Sequence, residues 1–401
     1  MDNRTASTRM NIFILLFMVS LSFGSLAQFM ILPGVRIYAH DGILVLLILW
    51  MIRQGIPEKG GTLMKYIAAF VGVGVLSLLA NAHRFSYADT LLSSLYLLRW
   101  TLYALLYVIV LSSSRRLIWL GGLYAMGVVV AGFGILQYVA YPDLRNALYL
   151  GWDPHFQRLF STLLDPNFTG ILLGLTFFLG LAYWKNKAPN HWLYLSQILL
   201  FVALLLTYSR GSYLAFITGC TVWSIIKKRW HALAVGIAIC VLAVFLLPKG
   251  GEGRDLFRTV STVARFGSWA EGARLFAASP IIGNGFNTLR LLRGEPVISG
   301  EIPSHSSGGF DSSLLVVLAT TGVIGGIIYV GMLGSMARIG RDALRRGSEL
   351  GAIYLSALSG ILVHSVFVNS LFYPWVMIWV WVVSAECEKD ITSNTSQGVR
   401  R

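Results

Sequence analysis

The chain is poor in charge: only 12% of its 401 residues are Asp, Glu, Lys or Arg, about half the share in soluble domains. Hydrophobic residues make up 56%, which points to many membrane-crossing segments rather than one large water-soluble core. Cysteine is scarce as well. Cys220 and Cys240 sit in apolar runs and Cys387 lies near the C-terminus, so packing is the expected role and a disulfide framework is excluded. There is no Walker-type glycine loop and no dinucleotide-binding fingerprint. The seven histidines, at positions 40, 83, 155, 191, 231, 305 and 364, are scattered, with no zinc-ligand spacing. ATP hydrolysis and zinc chemistry are thereby disfavoured, and neither a cofactor nor a metal is expected. The net charge of +14 suggests nucleic acid at first sight. The basic residues, however, cluster in short loops between apolar segments, which is a membrane pattern and not a nucleic-acid one. No internal repeat and no low-complexity tract is visible.

What is abundant is apolar sequence in helix-length pieces. About 20 apolar residues cross a bilayer as a helix. Twelve segments qualify: 11–32, 37–52, 66–82, 90–112, 117–139, 165–184, 192–207, 211–226, 231–247, 310–334, 350–369 and 371–385. The first follows Arg4 and Arg9 and resembles a signal peptide, with Ser25-Leu26-Ala27 as a candidate cleavage site. Its apolar run continues to Leu32, longer than a typical signal core, so an uncleaved span is expected. Between 192 and 226, Tyr208-Ser209-Arg210-Gly211 makes a tight polar break that reads either as a loop or as a re-entrant turn. With the N-terminus inside, the inner segments hold nineteen Lys and Arg, the short outer ones five and the long segment 248–309 seven; Arg99 lies within a span. The asymmetry across short loops places both termini in the cytoplasm. The expected architecture is an all-α polytopic protein of a bacterial cytoplasmic membrane. It has one transmembrane domain over 1–401 and a large outer loop at 248–309.

Part of that loop reads as a helix lying on the outer surface. Phe266, Trp269, Ala270, Ala273, Phe276 and Ala277 recur at helical spacing, and Pro280 ends the run. Arg258, Arg265 and Gly272 share another face. Trp269 is expected at headgroup level, and Gly283-Asn284-Gly285 forms a turn. Candidate chemistry rests on outer arginines: Arg158, Arg210, Arg265 and Arg274. A guanidinium stays charged and grips phosphate bidentately. The plainer alternative is contact with ordinary headgroups, or with carboxylates such as Asp165 and Glu271. Arg210 stands out because it interrupts two spans, where an unpartnered charge is costly. Arg99 lies deep in its own span, with Asp41 as a possible partner for an ion pair that fixes helix packing.

These residues carry a family resemblance. Arg158-Leu159-Phe160-Ser161-Thr162 followed by Asp165-Pro166-Asn167 resembles the entry to a span in the O-antigen ligase and polymerase family. Leu206-Thr207-Tyr208-Ser209-Arg210-Gly211 is similar to that family's Ser-Arg element. Arg265 to Trp269, Ala273, Phe276 and Pro280 to Gly285 resemble its outer helix and turn, and Leu314 to Gly325 the span that follows. The elements stand in family order over about residues 155–335. The resemblance implies a glycosyltransferase-C-like membrane fold. It implies a donor polysaccharide carried on undecaprenyl pyrophosphate, with inverting transfer to an acceptor hydroxyl on the outer face. By position, Arg210 and Arg265 match the arginines that hold pyrophosphate, with Arg158 and Asn167 as further substrate contacts. The family's His-Asn element aligns with Asp311-Ser312, whereas the nearest histidine is His305. His305 is the expected base, with Asp311 orienting it or the acceptor. A solvated loop histidine, and a carboxylate that merely favours a helix N-terminus, are the plainer readings. Ligation and polymerisation of lipid-linked repeat units both fit. A flippase or exporter of lipid-linked glycan, and an envelope scaffold, are the competing classes. Transporters commonly carry internal repeats and midplane helix breaks, which this sequence lacks. The expected partners are the lipid-linked donor, a glycan or lipid acceptor and membrane lipids, with no nucleic acid.

Overall fold

The computed structural model describes residues 3–32, 35–54, 61–150, 152–186, 191–248, 254–255, 259–294 and 309–398. Long apolar stretches with polar punctuation give a succession of helices: α1 (Asn3–Ser22), α2 (Ala39–Gln54), α3 (Thr62–Asn81), α4 (Tyr87–Ser112), α5 (Arg116–Ala140), α6 (Pro166–Asn186), α7 (His191–Leu206), α8 (Arg210–Lys227) and α9 (Trp230–Leu246). They are followed by α10 (Val260–Ala278), the short α11 (Leu289–Leu292), α12 (Ser313–Arg345), α13 (Glu349–Phe367) and α14 (Pro374–Gly398). Among the described residues, five stretches are long and apolar enough to cross a membrane: Thr62–Arg84, Tyr87–Ser112, Arg116–Ala140, Ser313–Arg345 and Glu349–Phe367. Shorter apolar helices run over Met10–Ser22, Pro166–Ala182 and His191–Leu206. The protein is thus an all-α membrane protein.

Local signals explain where the helices begin. Ser86 caps α4 by accepting from the Asp89 N–H, Ser209 caps α8 through the Ser212 N–H, and Ser348 caps α13 through the Gly351 N–H. Asp165 accepts from the Asn167 and Phe168 N–H groups, with Pro166 in the first turn of α6. The interior is aromatic-rich: Trp119, Trp375, Trp379, Tyr103, Tyr107 and Tyr354 are all fully buried. α8 packs on α13, α14 on α4, and α12 on both α3 and α13.

The first predicted span is shorter than its apolar run. α1 stops at Ser22, and Gln28–Leu32 (β1) pairs antiparallel with Val35–Tyr38 (β2), with Met30 opposite Arg36. Hydropathy alone does not distinguish a lipid-facing helix from a half-covered hairpin. The stop lies at Gly24, whose φ is +59° and whose missing side chain makes room for the Thr162 backbone. Among the described residues, neither Cys220 nor Cys387 forms a disulfide.

The feature that most constrains the region around α10 and α11 is a break inside α12. Gly322 is non-helical (φ 66°, ψ −167°), so the helix leaves main-chain groups around it unbonded. The turn after α10 takes them up. Asn284 and Gly285 donate their N–H groups to the Ala319 and Thr320 carbonyls at 3.0 and 3.1 Å, and the Val323 N–H donates to Pro280 O at 2.8 Å. The Asn284 amide adds bonds to Leu275 O and Ala319 O. α3 completes the joint: Ser77 Oγ donates to Thr320 O, Asn81 donates to Gly283 O, and Arg84 reaches Asn81 and Asn284. A methyl group on Gly283 (φ +78°) would lie 2.3 Å from the Thr320 carbonyl carbon. Gly283→Ala is therefore expected to cost about 2–4 kcal/mol through strain and overpacking, seen as a lowered unfolding midpoint in detergent. Gly334→Ala, on the same α12 but facing open space, is the control and should leave the midpoint unchanged or raise it slightly.

Candidate functional site

A cavity of about 1070 Å³ opens among the hairpin, α4, the segment before α6, α10, α11 and the start of α12. Its wall gathers Arg158, Asp165, Asn167, Arg265 and Asp311, which the sequence scatters over more than 150 positions. The volume is at or slightly above the upper end for small-molecule sites, which suits a bulky substrate.

α10 is the element that brings these groups together. Its apolar stripe of Val263, Phe266, Ala270, Ala273 and Ala277 faces outward, so the opposite face, carrying Arg265, Ser268 and Gly272, turns to the protein. Gly272 lies against Phe310 and Leu315. Ser268 Oγ accepts the Asp311 N–H at 3.0 Å, and the Trp269 indole donates to the Asp311 carbonyl at 3.1 Å. Trp269 is thus tied into the protein as well as lying beside the apolar stripe. These bonds fix the Asp311 backbone one turn from Arg265. Burial pushes the Asp311 carboxyl above the usual range, against the opposing pull of Arg265 and Arg293. The Arg265 guanidinium is lowered by burial; Asp311 and Asp165 support its charge and Arg210 opposes it.

Arg210 is therefore close to Arg265, although it is not among the described residues of the cavity wall. It opens α8 and donates to Thr262 Oγ1 of α10 at 3.2 Å. The polar break read in the sequence is the gap between α7 and α8. There Tyr208 takes a positive φ of 50°, and the buried Arg158 donates to Thr207 O at 2.9 Å and Tyr208 O at 3.4 Å. Arg158 both lines the cavity and buckles this break. Asn167 Oδ1 accepts from Ser209 Oγ at 2.9 Å, which ties the start of α6 to the cap of α8. Asp41 and Arg99 form the anticipated ion pair, at 2.9 Å, beside Tyr103 at the cavity wall. Glu271 is paired with Arg293 at 2.8 Å. His305 lies outside the described residues, as does Arg258.

Two groups were missed in the sequence. His364 is fully buried in α13, with Nε2 3.2 Å from Ser212 Oγ and Nδ1 on Ser370 Oγ. Ser212 bonds in turn to Ser209 and to the Asn167 carbonyl, so His364 props the start of α8 from behind. A histidine inside an apolar run was the available signal. Arg36 and Arg290 also line the cavity. They come from segments that read as span end and loop, with nothing to connect them.

With this geometry in place, one comparison bears on the site: residues 195–330 match the family model for O-antigen ligase. Over this part of its length the chain is similar to the O-antigen ligase family. The matched stretch runs from within α7 to within α12 and contains Arg210, Arg265 and Asp311. No curated protein matches the chain.

Proposed function

We propose that the protein transfers a polysaccharide from an undecaprenyl-pyrophosphate carrier to an acceptor hydroxyl, at the outer face of the cytoplasmic membrane. The observation that carries this reading is the convergence of Arg265, backed by Arg210, with the half-buried Asp311 on one large cavity. Twelve spans, cytoplasmic termini and an outer 248–309 segment complete the proposal. The arginines sit where leaving-group charge would develop. As the bond between the sugar's anomeric carbon and the phosphate oxygen breaks, the electron pair stays with the pyrophosphate. A fixed cation there stabilises the transition state, more strongly in a water-poor site. The acceptor oxygen bonds to the anomeric carbon from the opposite side and gives its proton to a base, Asp311 or His305. Arg158 and Asn167 shape the wall around the donor. Polymerisation of lipid-linked repeat units follows the same chemistry with a second lipid-linked glycan as acceptor.

Purified protein in liposomes with a labelled lipid-linked oligosaccharide and an acceptor tests the proposal. Transfer of label to the acceptor is the expected result. Movement of intact labelled lipid across the bilayer, without transfer, would replace it with a flippase.

A further inference from the structure

The cavity wall holds two further arginines, on elements other than those that carry Arg158, Arg210 and Arg265. Arg36 stands on β2, opposite Met30 in the hairpin. The strand is anchored at its end, where the Tyr38 N–H donates to Asp41 at 2.8 Å and the Arg99 guanidinium lies 4.7 Å from the centre of the Tyr38 ring. Arg290 stands on α11. That short helix is held by Thr288 Oγ1 bonding to the Asn284 and Gly285 carbonyls, by buried Leu289, and by Ser93 of α4 reaching Asn287 O. Both arginines are half-buried and both line the cavity, with Tyr96 of α4 also in the wall. Burial lowers the Arg36 guanidinium most, Tyr38 and Tyr96 offset part of that, and Arg290, on the same wall, adds a smaller lowering. Bringing two guanidinium groups of like charge together at a partly desolvated wall is unfavourable, and a bound anion between them reverses the sign of that interaction.

We propose that Arg36 and Arg290 form a second anion position in this cavity, which takes a phosphate group carried by the acceptor. This rests on the transferase reading. It makes the acceptor, like the donor, a phosphate-bearing molecule, whether a phosphorylated glycolipid or a second pyrophosphate-linked glycan. Cations on separate elements let donor and acceptor be held independently, so that each can be lost without the other.

The test uses the full-length protein in detergent micelles and in liposomes. Three acceptors are compared: a glycolipid with one phosphate monoester, the same glycolipid without it, and a prenyl-pyrophosphate-linked glycan. With wild type, removing the phosphate should raise the acceptor KM at least tenfold, and the better of the two phosphorylated acceptors identifies the source. Arg36→Gln and Arg290→Gln should each raise the KM of the phosphorylated acceptor about tenfold, lose the preference for phosphate, and leave the donor KM within twofold. Arg→Lys variants should recover part of the preference, since the charge stays and the planar fork goes. A rise in donor KM instead, or equal use of both glycolipids by wild type, would overturn the proposal. Binding of the phosphorylated glycolipid in micelles, measured without donor, reads the site apart from turnover. Equal binding by wild type and the double Gln variant overturns it too. A wild-type enzyme that binds this glycolipid through Arg36 and Arg290 yet makes no product with any acceptor would instead sink the transferase reading.

Discussion

Replacing Arg265 with alanine is expected to lower glycan transfer by about 10²–10³-fold, the range seen when one fixed group that stabilises transition-state charge is removed. Arg265 lines the cavity with Asp311 and Asp165 as electrostatic neighbours, so the variant loses the charge that the proposed mechanism sets against the leaving group. Arg210→Ala should act in the same direction. Its guanidinium lies beside Arg265 and is bonded to Thr262, so it also sets the position of α10. Lysine at either position should restore only part of the rate, because an ammonium cannot grip two oxygens in one plane. Transfer is measured on membranes with equal amounts of inserted protein. Full activity in both alanine variants would remove the arginines from the mechanism.

The second large effect concerns the acceptor proton. If Asp311 is the base, Asp311→Asn should lower turnover by about 10²-fold or more while donor binding is kept. The pH profile carries the sign. A base works deprotonated, so turnover should be present above the carboxyl's pKa and fall as pH drops through it. Burial moves that pKa upward from the ordinary aspartate value of about 3.9, so the acid limb should appear at higher pH than for a solvated carboxylate and should vanish in Asp311→Asn. His305→Ala is the counter-test. Loss of turnover there, with Asp311→Asn near wild type, assigns the proton to the histidine, whose limb would centre near about 6.5. Activity in both variants would leave the arginines alone to drive the reaction.

The residues show why some of this was legible in the sequence. Arg210 and Arg265 stood out as candidates for local reasons, one as a charge between apolar helices, the other as a cation on the polar face of an amphipathic helix. The Asp41–Arg99 pair was legible because a charge deep in a span needs a partner. Helix positions followed from apolar length. The hairpin did not, because Phe29, Met30, Ile31 and Leu32 have the composition of a span, and only the room needed beside Thr162 at Gly24 explains where the helix stops. Arg36, Arg290 and His364 were hidden for another reason. Each acquires its meaning from neighbours more than 100 residues away, and no local pattern encodes such a meeting.

The joint between the Pro280–Gly285 turn and the broken middle of α12 is made mostly of peptide groups. A clasp of that kind is nearly blind to side-chain identity. It demands glycine at 283 and 322, where the two backbones touch, and an amide at 284, but it leaves the surrounding positions open to change. The wall residues on α10 and α11 can therefore change while the frame that carries them keeps its registration, so the same scaffold can line its cavity in different ways without being refolded.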